Sequence, residues 1–250
     1  MAVTSSDLVL YASANMPLND NNTSGGAINS GIRVTFTDPS SAAQLIIFSS
    51  SASDTSQTLA LKGRNAAGSI ITENMSLDGT TNVTSSNTFE RVLIAELSDV
   101  GVGNITVSGN GINKIAEIPI GENGFLRPFY DATTSASSSK TLYEKIFVKN
   151  NNTSSTLDGA TLIPVAATGL ASQITYGIED GKASPQSVSN RTTAPTGVDA
   201  FGSGASGVYP NGTGILTAYD YQGFWLKMSL EANESAINSF YEIQVSGTTS

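Results

Sequence analysis

Histidine and cysteine are both absent from the 250 residues of this chain. Histidine is the side chain whose ordinary pKa lies between about pH 5 and 8, and it is the commonest metal ligand. Cysteine supplies thiolate nucleophiles, disulfides and most structural zinc ligands. Without them, Ser-His-Asp and Cys-His catalysis, zinc fingers, His-ligated haem and thiol redox chemistry are excluded together. Charge is scarce as well. Asp, Glu, Lys and Arg make up 13% of the residues, about half the usual share near 25%. Lys and Arg number 12 against 21 Asp and Glu, a net charge of −9. No basic run exists, and phosphate contacts need clustered cations, so no nucleic-acid partner is expected. No apolar stretch approaches the roughly 20 residues of a membrane span, so no membrane partner is expected either. The opening Met1-Ala2-Val3-Thr4-Ser5-Ser6-Asp7 shows no basic segment leading into an apolar one, so no secretory signal is expected.

What is present is Ser, Thr, Asn and Gly in quantity, threaded by short β-branched runs. Ile32–Phe36, Gln44–Ser49, Thr58–Gly63, Ser69–Leu77, Phe89–Leu97, Asn104–Val107 and Lys114–Ile118 read as strands bounded by turn residues. Arg64-Asn65-Ala66-Ala67-Gly68 suits a hairpin loop, because Asn and Gly tolerate positive φ, and Asp78-Gly79 closes the next strand. Leu142–Lys149 reads as another strand. In Phe224–Leu230, the residues Phe224, Leu226, Met228 and Leu230 share one face and Trp225, Lys227 and Ser229 the other. Ile174, Tyr176 and Ile178 alternate in the same way, as do Tyr241, Ile243 and Val245. One helical turn is the most that Glu231–Asn238 supports. Close strand spacing implies antiparallel meanders without helical crossovers. The expected fold is all-β: two antiparallel β-sandwich domains, immunoglobulin-like or jelly-roll-like, covering 1–125 and 126–250. Pro119, Gly121, Gly124, Pro128 and the Ser135–Ser139 run mark the boundary region.

Few motifs carry chemistry. Gly202-Ser203-Gly204-Ala205-Ser206-Gly207 matches GxGxxG, but Val208-Tyr209-Pro210 follows where a helix would have to open, so a loop is expected. Asn-x-Ser/Thr triplets, as at Asn74, Asn82 and Asn104, follow from composition. Glu179-Asp180-Gly181 is the nearest approach to a cation-binding loop, without the repeated ligand spacing of one. Glu73, Glu90, Glu96, Glu144 and Glu242 lie in strands and are expected to point into solvent. No sequence feature places two carboxylates at glycosidase separation. No catalytic residue, cofactor or metal site is therefore expected.

Thr58–Leu77, continuing through Gly79-Thr80-Thr81-Asn82-Val83-Thr84 to Phe89-Glu90-Arg91-Val92, resembles repeats in tailed-bacteriophage virion proteins. Tyr143-Glu144-Lys145-Ile146-Phe147-Val148-Lys149-Asn150-Asn151 is similar to phage structural chains in which a strand runs into an Asn/Thr loop. The resemblance implies a head decoration (cement) protein, or another non-catalytic virion part such as a neck or tail component. Such a protein binds the major capsid protein or other virion proteins across subunit junctions on the capsid exterior, after assembly in the host cytoplasm. By analogy with such proteins it is a homo-oligomer, a trimer. Met1–Asn29 is a candidate N-terminal arm. In it Leu8, Leu10 and Tyr11 either add a strand to a neighbour's sheet or form the first strand of their own domain. Tyr219, Tyr221 and Trp225 form a second candidate interface, or else pack beneath another sheet. The alternative function is a tail or neck adhesin, with Tyr219, Asp220, Tyr221, Gln222 and Trp225 as a sugar-binding platform.

Overall fold

The two-residue rhythm of the sequence becomes strand after strand. A computed structural model of the chain describes residues 2–17, 19–34, 37–109, 114–132, 137–164, 174–199, 201–202, 214–234 and 243–250. In chain order the first strands are β1 (Leu8–Asn15), β2 (Ser24–Arg33), β3 (Ala43–Ser49), β4 (Thr58–Arg64), β5 (Ile70–Ser76), β6 (Val83–Phe89), β7 (Arg91–Leu97) and β8 (Ile105–Gly109). They are followed by β9 (Lys114–Ile118), β10 (Gly124–Leu126), β11 (Lys140–Asn150), β12 (Leu157–Pro164), β13 (Ile174–Ile178), β14 (Ser187–Val188), β15 (Tyr221–Leu230) and β16 (Ile243–Thr249). One three-residue 3-10 turn, Ser5–Asp7, precedes β1, and no α-helix occurs among the described residues. The protein is all-β.

Two compact units divide the chain: Met1–Asn29 with Asp131–Ser250, and Ser30–Tyr130. The residues before Ser30, read from sequence as part of a 1–125 domain, thus cluster with the C-terminal half. Their strand β1 explains why. It pairs with β11 in register, Leu8 opposite Asn150 through Ala12 opposite Ile146, and has β2 on its other side.

In the discontinuous unit β13, β15, β11, β1 and β2 lie side by side, with β14 added to β2. β12 and β16 form a separate two-stranded ribbon. Long cross-strand pairing anchors this unit: β11 and β15 match from Lys140 opposite Leu230 to Lys149 opposite Tyr221.

The Ser30–Tyr130 unit holds two sheets. One orders the end of β2 beside β10, β7, β4 and β5; the other orders β6, β3, β8 and β9. β10 runs parallel to β2, an exception to the antiparallel pattern expected throughout. Alternation does the burying. Leu45 and Ile47 of β3, Leu59 and Leu61 of β4, and Ile105 and Val107 of β8 are at most 2% exposed and belong to one hydrophobic cluster. The β4–β5 turn forms as its residues dictate: Asn65 Oδ1 accepts from the amides of Ala67 and Ser69, and Gly68 takes φ 76°. The expected Phe89–Leu97 strand is broken at Glu90, which separates β6 from β7, members of different sheets. Glu73 of β5 accepts from the Ser86 and Asn87 amides of β6. That carboxylate satisfies donors that an edge strand would otherwise leave open.

Candidate functional site

Four buried or partly buried charge centres and one group of exposed aliphatic residues stand out. The first cluster sits on the β11–β15 pair. Lys145 lies directly opposite Trp225 across the ladder, so both side chains leave the same sheet face. Glu179, just past β13, reaches over Gly223 to meet them. The Lys145 Nζ lies 2.6 Å from Glu179 Oε2, with the two side chains 0% and 1% exposed. Trp225 Nε1–H donates to Glu179 Oε1 at 3.0 Å, and Lys145 Nζ donates to the Ser184 carbonyl at 2.7 Å. Glu179 Oε2 receives no well-directed hydrogen bond despite the short approach. The ammonium stands 4.8 Å from the Phe147 ring centre and 5.9 Å from that of Trp225. Burial pushes the Lys145 amine below its ordinary pKa and the Glu179 carboxyl above its own. A Cβ on Gly223 would stand 2.7 Å from Glu179 Oε2 and 2.9 Å from Lys145 Cε, so only glycine leaves room for this contact.

Arg191 centres the second cluster. Its Nη1 donates to Asp131 Oδ1 (2.7 Å) and Glu144 Oε1 (3.2 Å), and its Nε to Asp20 Oδ1 (3.0 Å). Lys140 also pairs with Asp20. Burial works against the guanidinium's charge, yet its Asp131, Glu144 and Asp20 partners outweigh that and raise its pKa. The Arg191 carbonyl accepts from Tyr143 N, tying the segment to β11. One guanidinium thereby holds three stretches of chain far apart in sequence.

In the Ser30–Tyr130 unit, Asp38 receives Arg127 and Arg91. Burial, relieved in part by Asp38, leaves the Arg127 pKa lowered to about 10. Asp54 is fully buried and surrounded by donors. Its Oδ1 accepts from Val102 N and Gln57 Nε2, and its Oδ2 from Ser49 Oγ and Gly103 N. Burial alone would raise its pKa, but these hydrogen bonds hold the carboxyl below the ordinary value. A carboxylate so fully occupied by N–H and O–H groups has no lone pair directed at a cation; it fixes the loop before β8. On that loop Val100 and Val102 are 41% and 59% exposed. Ile120, 63% exposed, lies on an adjoining turn whose amide donates to Asn104 Oδ1. No group of three metal-ligating residues occurs among the described residues.

No family model matches the sequence, and no curated protein matches it. Among solved structures, the chain aligns with a crystal structure of the infectious bursal disease virus VP2 subviral particle. Identity is 8%, with 100% of this chain and 68% of that chain covered, at a TM-score of 0.15. A score of that size carries no argument about this protein.

The residues singled out by sequence fall in different places. Leu8 and Leu10 are half-buried and Tyr11 is 2% exposed, all within β1. With β11 on one side and β2 on the other, β1 has no free edge to offer a neighbour. It is the first strand of its own unit, not an arm. Trp225 and Gln222 are fully buried, which removes both from a sugar-binding platform. Tyr221 is half-buried, edge-on to Phe147, while Tyr219 is 55% exposed with φ 62°. Asp220, the platform's acid, pairs with Lys182. Glu144, expected to face solvent, is 1% exposed beside Arg191, and Glu179 turns inward instead of lining a cation loop. Residues 203–207 of the glycine motif, Glu242 and Tyr241 lie outside the described residues. Sequence reasoning passed over Asp54 and Arg191. The scarcity of cations was the available signal: one of only twelve Lys and Arg, placed in a Ser/Thr/Pro-rich stretch, is an anchor.

Proposed function

We propose that this chain is a non-catalytic virion structural protein, a capsid decoration protein that bridges subunit junctions on the outside of a phage head. In this reading each unit is a β-sandwich, and several copies, three by analogy with other decoration proteins, act together. The partners are the major capsid protein and further copies of the chain. Joined copies gain from multivalency, since one bound contact raises the effective concentration of the others.

The observation that carries this reading is the exposed group Val100, Val102 and Ile120, presented on loops fixed by Asp54 and Asn104. Exposed aliphatic residues on pinned loops suit contact with another protein surface, because little ordering entropy is lost on docking. Internal use of charge supports it too. At least eight of the twelve Lys and Arg make ion pairs among the described residues, so few cations remain for an anionic partner.

The test pairs light scattering after size exclusion with cosedimentation on purified heads of the phage that carries the gene. The expected result is an oligomer that sediments with heads, and loss of sedimentation in Val102→Asp/Ile120→Asp at unchanged melting temperature. A monomer that stays in the supernatant refutes the proposal.

A further inference from the structure

We propose that Lys145 and Glu179 condense spontaneously into an intramolecular isopeptide bond, a covalent staple in a chain that has no cysteine.

The geometry that places a nucleophile against an electrophile is already present. Nζ stands 2.6 Å from Glu179 Oε2 in a site with essentially no solvent exposure, lined by the Phe147 and Trp225 rings. An ion pair kept dry carries a desolvation cost that its attraction only partly offsets. Proton transfer from the ammonium to the carboxylate relieves that cost and yields a neutral amine facing a neutral acid. The Nζ lone pair then attacks Glu179 Cδ and forms the C–N bond, while the C=O π pair moves onto Oε1. Trp225 Nε1–H already donates to that oxygen and stabilises its developing charge. A proton passes from nitrogen to Oε2, the Cδ–Oε2 bond breaks, and water leaves. The departing Oε2 is the oxygen without a well-directed hydrogen bond. Fixed neighbours react as though at very high concentration, which is what amide formation without an activating group requires.

The product fits the site better than the reactants do. The amide carbonyl keeps the Trp225 donor, and its remaining N–H keeps the Ser184 carbonyl as acceptor. Both polar groups are satisfied and no charge remains buried. The staple joins β11 to the residue after β13.

Intact-mass spectrometry of the full chain tests this. The expected mass is one water lower than the sequence requires, with fragmentation of a digest placing the lost water in an amide between Lys145 and Glu179. Lys145→Arg, which keeps the charge but not the amine, is expected at its full sequence mass. A wild-type chain at full mass overturns the proposal whether or not any variant folds. A water loss that persists in Lys145→Arg overturns it as well, since the dehydration then lies elsewhere.

Discussion

Removing the Arg191 guanidinium is the most demanding perturbation for the discontinuous unit. Arg191→Met keeps much of the stem's volume and deletes every hydrogen bond to Asp20, Asp131 and Glu144. Asp20 retains Lys140 and is partly open to water, so its loss is modest. Glu144 is different: at 1% exposure its carboxylate stays in the interior without the guanidinium that neutralised it. Breaking one side of a buried ion pair costs about 3–5 kcal/mol. For a chain of this length each kcal/mol shifts the melting temperature by about 2–4 °C, so a fall on the order of 10 °C is expected. The single tryptophan, Trp225, is buried in the same unit, so its emission reports this transition specifically. Arg191→Met/Glu144→Gln removes the buried charge and is expected to regain about half of the loss. Arg191→Lys is expected to fall between, because one ammonium cannot reproduce the forked contacts. A melting temperature for Arg191→Met within about 2 °C of wild type would refute the reasoning, as would a double variant less stable than the single one.

In the Ser30–Tyr130 unit, Asp54→Asn turns an amide NH2 toward either Val102 N–H or Gly103 N–H. The expected cost is about 2–3 kcal/mol, seen as roughly 30- to 150-fold faster hydrogen exchange at those two amides. Acid acts on the same group. Asp54 and Asp20 both sit below the ordinary value of 3.8 in the folded chain, burial being outweighed by hydrogen bonds at each, from Lys140 and Arg191 in the case of Asp20. A depressed folded pKa contributes stability that is complete above the unfolded value and lost as pH falls through the folded one. Urea midpoints are therefore expected to fall as the pH drops below 3.8, with a shallower fall in Asp54→Asn; parallel slopes would contradict this.

Much of the fold is legible in the sequence because burial in these strands follows the two-residue period. Gln44–Ser49, Thr58–Gly63 and Lys114–Ile118 match β3, β4 and β9 to within a residue, and the Asn65–Gly68 turn follows from its own side chains. Polar strands are another matter. Val83-Thr84-Ser85-Ser86-Asn87-Thr88-Phe89 forms β6 although it lacks apolar alternation. There Ser85 Oγ accepts from Leu45 N at the register shift in β3 and donates to Asn87 O, supplying by side chain what the ladder omits. The glycine-rich start of β2 is hidden for a similar reason, since its pairing with β14 comes from residues more than 150 positions away in sequence. The charge clusters were illegible because each depends on long-range pairing: Glu179 meets Lys145 only once β13, β15 and β11 align. Trp225 could not be placed by periodicity, because both faces of β15 are buried between Gln222 and Leu226.

The most direct test of the chain as a contact scaffold is to image purified heads with and without the protein added. The account predicts added density on the outer surface at junctions between shell subunits, absent when Val102→Asp/Ile120→Asp replaces wild type. Heads that look the same with and without the folded protein would contradict it.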